Sequence, residues 1–372
     1  MAREIGDSTS QHQTNLRMVA ALSSSGHEIH VFTQSPEKVP VSNVFVHRTR
    51  GTHVPGSVVS SLVFKVLTLI KVLQLRLSVV DVQDHTVDGL LLVILNRFLR
   101  FPKVVVRGVV RTDTNTRAFF LSSRFIVRTV QRMQGLAATS VTATADACCF
   151  ESTSTLNTAT LPRRVRKYTT YCPVNIELYS QFSASSNHPI RNDSGYLLVV
   201  AGLEPRKGLH VLFAGLNELF TKTHLSVLVV GKEKEIGYKR RILAQVNECF
   251  TDRVKFLEQV TAEELGRLYS ECSIFCSCSL YESFGYPVIE ALACGAPVVA
   301  TKTGVVGDLV LDPPLGVRVE PGSTDDLISA VIDALSMTEN PNINKRRREL
   351  VMHFSSQHWA RRMLKVYAEL GV

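Results

Sequence analysis

The sequence predicts an α/β protein made of two doubly wound domains, each with a parallel sheet covered by helices. Short Val-rich runs of strand length alternate with longer segments of helical periodicity. The same alternation of strand and helix patterns begins again after residue 195. It follows a polar, turn-rich stretch at 183–195 that is typical of a linker. The chain, at 372 residues, is also too long for one typical core.

In the first half, Val-rich runs are separated by segments of helical periodicity, which indicates parallel strands joined by helices. The predicted strands are 27–33, 79–84, 103–110 and 135–145, and the predicted helices are 12–26 and 87–100.

In the second half, the helix boundaries carry recognisable residues. Thr261 stands as an N-cap with Glu264 three residues on, the spacing of a capping box. Pro287 opens a later helix and Gly295 closes it. The predicted strands are 195–202, 225–231, 253–260, 272–279 and 296–301, and the predicted helices are 208–222, 238–250, 261–271 and 287–295.

The positive charge lies entirely in the first half. Residues 1–190 hold 21 Lys and Arg against 11 Asp and Glu, a net charge of +10, whereas residues 191–372 hold 21 against 22, a net charge of −1. A basic half beside a neutral one indicates an anionic partner, although a merely soluble basic surface is an equal alternative. The arginines are scattered singly and no known binding motif accompanies them, so we expect no nucleic-acid partner.

Composition excludes several classes of protein. With 45% hydrophobic and 20% charged residues, the chain is typical of a globular protein rather than a disordered one. Its most apolar region, 57–80, is interrupted by Lys65, Lys71 and Arg76, which argues against a spanning helix. We also expect no secretory leader, because the first residues lack a charged stretch followed by an apolar one. The eight cysteines form no paired CxxC site, so we expect reduced core residues and a cytoplasmic location.

Two glutamates, Glu282 and Glu290, stand in an otherwise apolar stretch at 279–301. Burying an ionised carboxylate without partners costs several kcal/mol or forces its proton back on. Taken singly, a glutamate near a helix start is usually a dipole or capping residue, and this alternative stays open for Glu290. Taken as a pair, the two carboxylates favour a ligand-binding role over a capping role.

The predicted strand before Glu282 ends at the carboxyl edge of the sheet, where ligands of open α/β sheets bind. We expect the free N–H groups of Phe284, Gly285 and Tyr286, together with the helix start, to attract a phosphate. Gly285 lets the backbone approach closely. Because carboxylates accept hydrogen bonds from hydroxyls, the predicted ligand is a nucleotide diphosphate sugar.

The motif around these glutamates resembles the signature of the retaining glycosyltransferases of family 4, also called glycosyl transferases group 1. It reads YESFGYPVIEALACGAPVVATKTGVVGDLV, with two glutamates separated by seven residues, a Phe-Gly after the first and EA-A-G-PVVA after the second. The stretch LLVVAGLEPRKGLHVLFAGL resembles the family's strand, basic loop and helix. Further similarities lie at 254–279 and 354–370, and others that are weak singly lie at 15–33 and 172–182, so the resemblance covers most of the chain.

This resemblance implies a GT-B fold, two Rossmann-like domains facing across a cleft, with the donor on the second domain and the acceptor on the first. It implies transfer of a sugar from a nucleotide sugar with retention, without an essential metal or a further cofactor. Lys207, beside Arg206, would meet the donor diphosphate and neutralise its growing charge. Glu290 would bind the ribose hydroxyls, and Glu282 would lie near the transferred sugar.

The sequence also departs from the family pattern. The family's GRL, with an arginine on the donor phosphates, is replaced by AGL at 201–203, and we expect Arg206 to compensate. The histidine that often follows the family's VVVT strand is absent. Arg107 after the corresponding strand, and His85 after the preceding one, are the candidates for the acceptor side, although a histidine there is as often a scaffold residue.

The resemblance also sets the predicted domains. They are an acceptor-side domain at 1–185, a donor-binding domain at 186–352, and a last helix at 353–372 that crosses back to the first domain. Only Met1 to Arg3 precede the position where the family's first strand should end, so we expect that strand to be missing or the start to be mis-set.

Three functions remain open from the sequence. The first is an active glycosyltransferase with an anionic or lipid-linked acceptor, held by a basic surface at the inner face of a membrane. The second is a non-catalytic relative that binds a nucleotide sugar or serves as a partner subunit. The third is another use of the fold, such as a nucleotide-sugar epimerase. The predicted basic surface comprises Arg163, Arg164, Arg166 and Lys167 with the helix near 62–77.

Overall fold

The computed structural model describes residues 10–33, 43–48, 70–72, 74–83, 103–107, 145–184, 195–337 and 340–372. Within these residues the chain forms two compact units. Unit 1 comprises residues 1–151, 155–173 and 356–372, and unit 2 comprises 152–154 and 174–355, each as far as the structure describes it.

The described elements follow the α/β alternation that the sequence predicts, with four short 3₁₀ turns between them. In chain order they are α1 (Ser10–Ser23), β1 (Ile29–Thr33), β2 (Val44–Arg48), β3 (Val79–Gln83), β4 (Lys103–Arg107), β5 (Ala147–Phe150), α2 (Thr153–Thr158), β6 (Arg166–Thr169), α3 (Ile176–Ala184), β7 (Tyr196–Val200), α4 (Leu209–Ala214), α5 (Leu216–Lys222), β8 (Ser226–Val230), α6 (Tyr238–Leu243), β9 (Val254–Leu257), α7 (Ala262–Glu271), β10 (Ile274–Ser277), α8 (Tyr286–Ala293), β11 (Val298–Thr301), β12 (Gly316–Val319), α9 (Thr324–Leu335), α10 (Pro341–Val351) and α11 (Ser356–Glu369).

Unit 1 contains parallel strands in two sheets. One sheet pairs β1 with β2, and the other has the order β3-β4-β5-β6. Helices α1 and α11 pack against each other and supply apolar side chains to the core beside β4 and β5. The buried members of this core include Met18, Val105, Cys149, Trp359 and Met363. Strands β4 and β5 are buried on both faces, and this explains why their sequences are nearly continuous apolar runs rather than alternating ones.

Unit 2 contains a six-stranded parallel sheet in the order β12-β11-β10-β7-β8-β9. The chain therefore winds outward from β7 in one direction and from β10 in the other. The order reverses between these two strands, where Leu197 lies opposite Ile274 and Leu198 opposite Phe275. All four side chains are fully buried. This reversal opens a crevice at the carboxyl ends of β7 and β10, the usual ligand position in a doubly wound sheet.

Local sequence signals at two helices of unit 2 are confirmed. The hydroxyl of Thr261 accepts the N–H of Glu264, while the Glu264 carboxylate accepts the N–H of Thr261, so the predicted capping box forms. Helix α8 has Pro287 in its first turn and is followed by Gly295 in the left-handed conformation at φ +79°.

Two predicted helices are shorter than the sequence suggests. The helix expected at 208–222 is divided into α4 and α5 at Gly215, where a Cβ atom would lie 2.3 Å from Ile328 of α9. Close packing of α9 therefore requires glycine at this point. The helix expected at 238–250 ends at Leu243, and a 3₁₀ turn follows at Glu248–Arg253.

Helix α3 belongs to unit 2, although the sequence places it before the domain boundary at 185. Its Tyr179 packs edge-on against Tyr269 at 6.0 Å and accepts the Cys294 thiol through its carbonyl oxygen at 3.3 Å. The ring of Phe182 lies so close to Gly266 that a Cβ atom there would be 2.4 Å away. The units therefore divide between residues 173 and 174, and again between 355 and 356.

Several predictions fall on residues outside those described. These are the helix at 87–100, the missing first strand before residue 10, most of the linker, and much of the helix near 62–77. In the predicted strand at 135–145 only Ala145 is described, and the strand in that region is β5. No helix among the described residues is long and apolar enough to cross a membrane.

All eight cysteines are described, and none is in a disulfide. Seven are buried and Cys249 is exposed, which confirms that most of them are core residues. Burial raises the pKa of the Cys148 thiol to about 12, so this thiol stays protonated at neutral pH.

Candidate functional site

The candidate site lies where β7 and β10 end side by side. The loop after β7 carries Arg206 and Lys207, and the loop after β10 carries Glu282. The two loops are tied together, because the N–H of Leu280 donates to the carbonyl of Arg206 at 2.9 Å. Gly208 makes the approach possible: it has φ +67°, and a Cβ atom there would lie 1.9 Å from a backbone oxygen of the other loop.

Lys207 and Glu282 meet in this crevice. The Lys207 Nζ atom lies 2.5 Å from Glu282 Oε1, and the Ser279 hydroxyl donates to the same oxygen at 2.8 Å. The Lys207 side chain is 17% exposed and that of Glu282 is 13% exposed, so both are largely shielded from water. An ammonium group has three N–H donors. Among the described residues Glu282 is the one side chain that accepts from Lys207, so this ammonium has donors to spare.

Arg206 lies beside this pair but is held more loosely. Its guanidinium contacts Glu204 at 2.8 Å, the carbonyl of Tyr281 at 3.2 Å and Glu282 Oε2 at 3.6 Å. Its side chain is 36% exposed. The crevice therefore gathers two cations and two carboxylates, with no net charge among these four groups.

The turn before α8 combines a backbone feature with a packing feature. Gly285 is the N-cap of α8 at φ +105°, a conformation that favours glycine. The Phe284 ring is buried and packs against Tyr286 at 4.9 Å and Phe354 at 5.7 Å. The Phe284 side chain is thus a core residue, and any contact with a ligand would come from the backbone.

Glu290 lies in α8 and is oriented from a neighbouring helix. Its Oε2 atom accepts the hydroxyl of Tyr269 at 3.0 Å. Burial, together with the carboxylate of Glu290, raises the pKa of Tyr269 well above its usual value. Tyr269 therefore remains a hydrogen-bond donor to Glu290 throughout the ordinary pH range.

The two acceptor-side predictions fare differently. His85 lies outside the described residues. Arg107 lies in unit 1, where its Nε atom is 2.6 Å and 2.7 Å from the two carboxylate oxygens of Asp81. Its guanidinium lies 5.3 Å from the ring centre of Trp359, and Asp81 also accepts the hydroxyl of Tyr367 at 2.8 Å. Burial alone would lower the pKa of Arg107, but Asp81 raises it on balance.

Sequence reasoning identified the central pair but missed the residues that hold it. Ser279, Glu204 and Tyr269 each bind one of the predicted site residues through a side chain. Ser279 and Glu204 stand within three positions of their partners, so a search for nearby polar residues could have found them. Tyr269 has no local signal, because it comes from another helix. No cluster of three or more possible metal ligands occurs in the described part of the chain.

Comparison with known proteins places this crevice within a defined family region. Residues 181–349 match the family model described as Glycosyl transferases group 1. The O-antigen chain mannosyltransferase B of Escherichia coli is 29% identical over 143 residues, which are 38% of this chain and 37% of that protein. The D-inositol 3-phosphate glycosyltransferase of Mycobacteroides abscessus is 31% identical over 156 residues, 41% of this chain and 34% of that protein. The chain spans between about a quarter and half of the curated relatives it matches.

Solved structures confirm the predicted fold class. The sucrose-phosphate synthase of Thermosynechococcus elongatus superposes with a TM-score of 0.72 at 21% identity, over 97% of this chain and 94% of that one. The Anabaena protein HepE, solved with UDP-glucose, superposes with a TM-score of 0.69 at 16% sequence identity. The superposition covers 99% of this chain and 98% of that one. The fold is GT-B, with two Rossmann-like α/β domains built on parallel sheets. The similarity to the group 1 glycosyltransferases comes from the family model over residues 181–349, and these structures show the fold alone.

Proposed function

We propose that this chain is a retaining glycosyltransferase of family 4 that transfers a sugar from a nucleotide-diphosphate sugar to an acceptor, without an essential metal. The observation that carries the proposal is the Lys207–Glu282 pair at the carboxyl ends of β7 and β10, 2.5 Å apart and largely shielded from water. A ligand at a doubly wound sheet binds at this point of strand reversal.

The cations of the crevice suit a diphosphate leaving group. Lys207 has N–H donors that no described residue fills, and they are available to phosphate oxygens. Negative charge on the diphosphate grows as the bond to the sugar breaks, and a fixed cation stabilises that charge more than it stabilises the ground state. The start of α8, capped by Gly285 rather than by a side chain, adds a second positive end.

The two glutamates suit the hydroxyl-rich parts of the donor. Glu282 has one oxygen shared by Lys207 and Ser279, while its Oε2 atom is 3.6 Å from Arg206. That second oxygen can accept a hydroxyl of the transferred sugar. Glu290, oriented by Tyr269, would accept the ribose hydroxyls.

The acceptor is the least defined part of the proposal. Arg163, Arg164, Arg166 and Lys167 are all exposed in unit 1 and give that unit a basic surface. We propose an anionic or lipid-linked acceptor and a cytoplasmic enzyme that touches the inner face of a membrane. Sedimentation with vesicles of phosphatidylglycerol and phosphatidylcholine at low salt tests this part, and equal recovery with neutral and anionic vesicles would refute it.

The test of the activity is incubation with labelled UDP-, GDP- and ADP-sugars and a panel of acceptors. We expect turnover with one donor, a product that keeps the anomeric configuration of the donor, and no inhibition by EDTA. Glu282→Gln should abolish turnover, whereas Glu218→Gln, which alters an exposed pair with Lys222 on α5, should not.

Nucleotide-sugar binding without turnover would instead indicate the non-catalytic relative, an alternative that the comparisons do not favour. Absence of binding to any nucleoside diphosphate would contradict both forms of the proposal.

A further inference from the structure

We infer that Lys234, from the loop after β8, contacts the donor phosphates and takes the place of the side chain that Gly202 lacks. This inference rests on the proposed function, because it assigns a further residue to the same donor site.

The loop that carries Lys234 is joined by its backbone to the loop that carries Lys207. The N–H of Leu203 donates to the carbonyl of Lys232 at 2.9 Å, and the N–H of Lys234 donates to the carbonyl of Leu203 at 3.1 Å. Both loops leave the carboxyl edge of the sheet, from the adjacent strands β7 and β8. Lys234 is therefore positioned by the fold beside the strand that leads into the candidate site.

The side chain of Lys234 lies along the bare face of Gly202. A Cβ atom at Gly202 would be 3.1 Å from Cγ and 3.6 Å from Cε of Lys234. The aliphatic stem of the lysine thus occupies the space into which any side chain of residue 202 would grow. Lys234 therefore lies beside the loop that leads from β7 to Arg206 and Lys207.

The charges around the crevice indicate what this cation is for. Arg206 and Lys207 are matched by Glu204 and Glu282, so these four groups carry no net charge. A nucleoside diphosphate brings at least two negative charges, which such a neutral set does not offset.

Lys234 is an exposed cation that makes no ion pair with any residue the structure describes. Its two acidic neighbours are engaged elsewhere: Glu233 accepts the N–H of Lys239 at 2.9 Å, and Glu235 pairs with Arg241. The lysine is therefore available to a ligand, and its four-carbon stem lets the ammonium follow the phosphate.

Arg206, which is expected to make up for the missing arginine, differs from Lys234 in its partners. Arg206 is already shared among Glu204, Glu282 and the carbonyl of Tyr281. Two of the five N–H donors of Arg206 make hydrogen bonds, so it can still meet a phosphate, but its charge is already offset by Glu204 and Glu282. Lys234 has no such ion pair within the described chain.

The test is isothermal titration of UDP, GDP, ADP and the corresponding nucleosides into the full-length wild-type protein and variants. Lys234→Gln should weaken binding of the preferred nucleoside diphosphate about tenfold, and should change binding of its nucleoside less than twofold. The matched control is Lys222→Gln, which removes the same charge from a helix that ends at the opposite edge of the sheet. It should leave both affinities unchanged.

A second variant places the positive charge on residue 202 instead of residue 234. The double substitution Gly202→Arg with Lys234→Ala removes the stem that would collide with a longer residue 202, and it should recover at least half of the lost binding energy. If Lys234→Gln binds the diphosphate as tightly as wild type does, the inference is wrong while the proposed function stands. If it weakens the nucleoside equally, Lys234 is not a phosphate contact. If wild type binds no nucleoside diphosphate, the proposed function itself is wrong.

Discussion

Two pairs of opposite charge, one in each unit, look alike by distance and exposure but differ in their surroundings. In unit 1 Asp81 and Arg107 are 2.6 Å apart with side chains 18% and 14% exposed. In unit 2 Lys207 and Glu282 are 2.5 Å apart and 17% and 13% exposed. Distance and burial alone would assign both pairs the same role.

The partners of each pair separate the two roles. Asp81 accepts from Tyr367 as well as from Arg107, and the Arg107 guanidinium lies near Trp359, so the pair joins β3 and β4 to α11. The Lys207–Glu282 pair joins two loops and leaves N–H donors of Lys207 unfilled in the described chain. A buried pair whose partners all come from the fold supports the scaffold, whereas a pair with spare donors at the reversal of a sheet can receive a ligand.

The largest effect is expected from breaking the pair of unit 1. Asp81→Ala leaves the Arg107 charge buried without its carboxylate, and should lower the free energy of unfolding by about 3 kcal/mol. Urea unfolding followed by circular dichroism measures it. Glu218→Gln, in the exposed pair with Lys222, serves as the control and should cost less than about 0.5 kcal/mol. Equal stability of the two variants would mean that the pair of unit 1 is not structural.

The next largest effect is expected from the pair of unit 2, and in activity rather than stability. Lys207→Met should lower kcat with the donor found in the screen by about 100-fold, because it removes a cation from the developing diphosphate charge. Its free energy of unfolding should fall less than that of Asp81→Ala, since Arg206 at 3.6 Å and the hydroxyl of Ser279 remain beside the Glu282 carboxylate. A large loss of stability with little loss of kcat would assign this pair to the scaffold as well.

A smaller effect on donor binding tests whether the Tyr269 hydroxyl orients Glu290 or only contributes to packing. Tyr269→Phe removes only the hydroxyl that donates to Glu290, and should raise the KM for the donor about fivefold with little change in kcat. Tyr196→Phe is the matched control, because it also removes a tyrosine hydroxyl in a partly buried hydrogen bond, one that donates to the carbonyl of Leu268 at 2.8 Å. Equal KM values for the two variants would show that Tyr269 does not position Glu290.

The smallest effect concerns a histidine pair on the two-stranded sheet of unit 1. His30 Nδ1 and His47 Nε2 are 2.7 Å apart, and His30 Nε2 is 2.6 Å from Glu28. Burial, the His30 charge and Lys71 lower the pKa of His47. The folded state thus favours neutral His47, so its contribution is present above the ordinary histidine pKa of about 6.5 and is lost as the pH falls below that value.

Melting temperatures at pH 8 and pH 5.5 test this dependence. The wild-type protein should lose about 1–2 °C more than His47→Gln over this interval, since His47 is only partly buried and its pKa shift is correspondingly limited. A variant with the same pH dependence as wild type would show that other groups control it.

Much of the fold followed from local patterns. Short apolar runs predicted β7, β8, β10 and β11 to within a few residues, because a buried parallel strand needs apolar side chains on both faces. The capping residues Thr261 and Glu264 predicted the start of α7. By contrast, the need for glycine at position 215 could not be predicted, since it comes from the contact with Ile328, which is distant in sequence.

The candidate site divides in the same way. The sequence by itself determined which residue types stand together in each loop: Arg206 with Lys207, and Glu282 ahead of the glycine that starts α8. Only the tertiary structure decided that the two loops meet, that Tyr269 reaches Glu290, and that Lys234 lies over Gly202. The physical reason is that spacing along a chain sets contacts within one turn or strand, whereas contacts between loops depend on which strands are neighbours in the sheet.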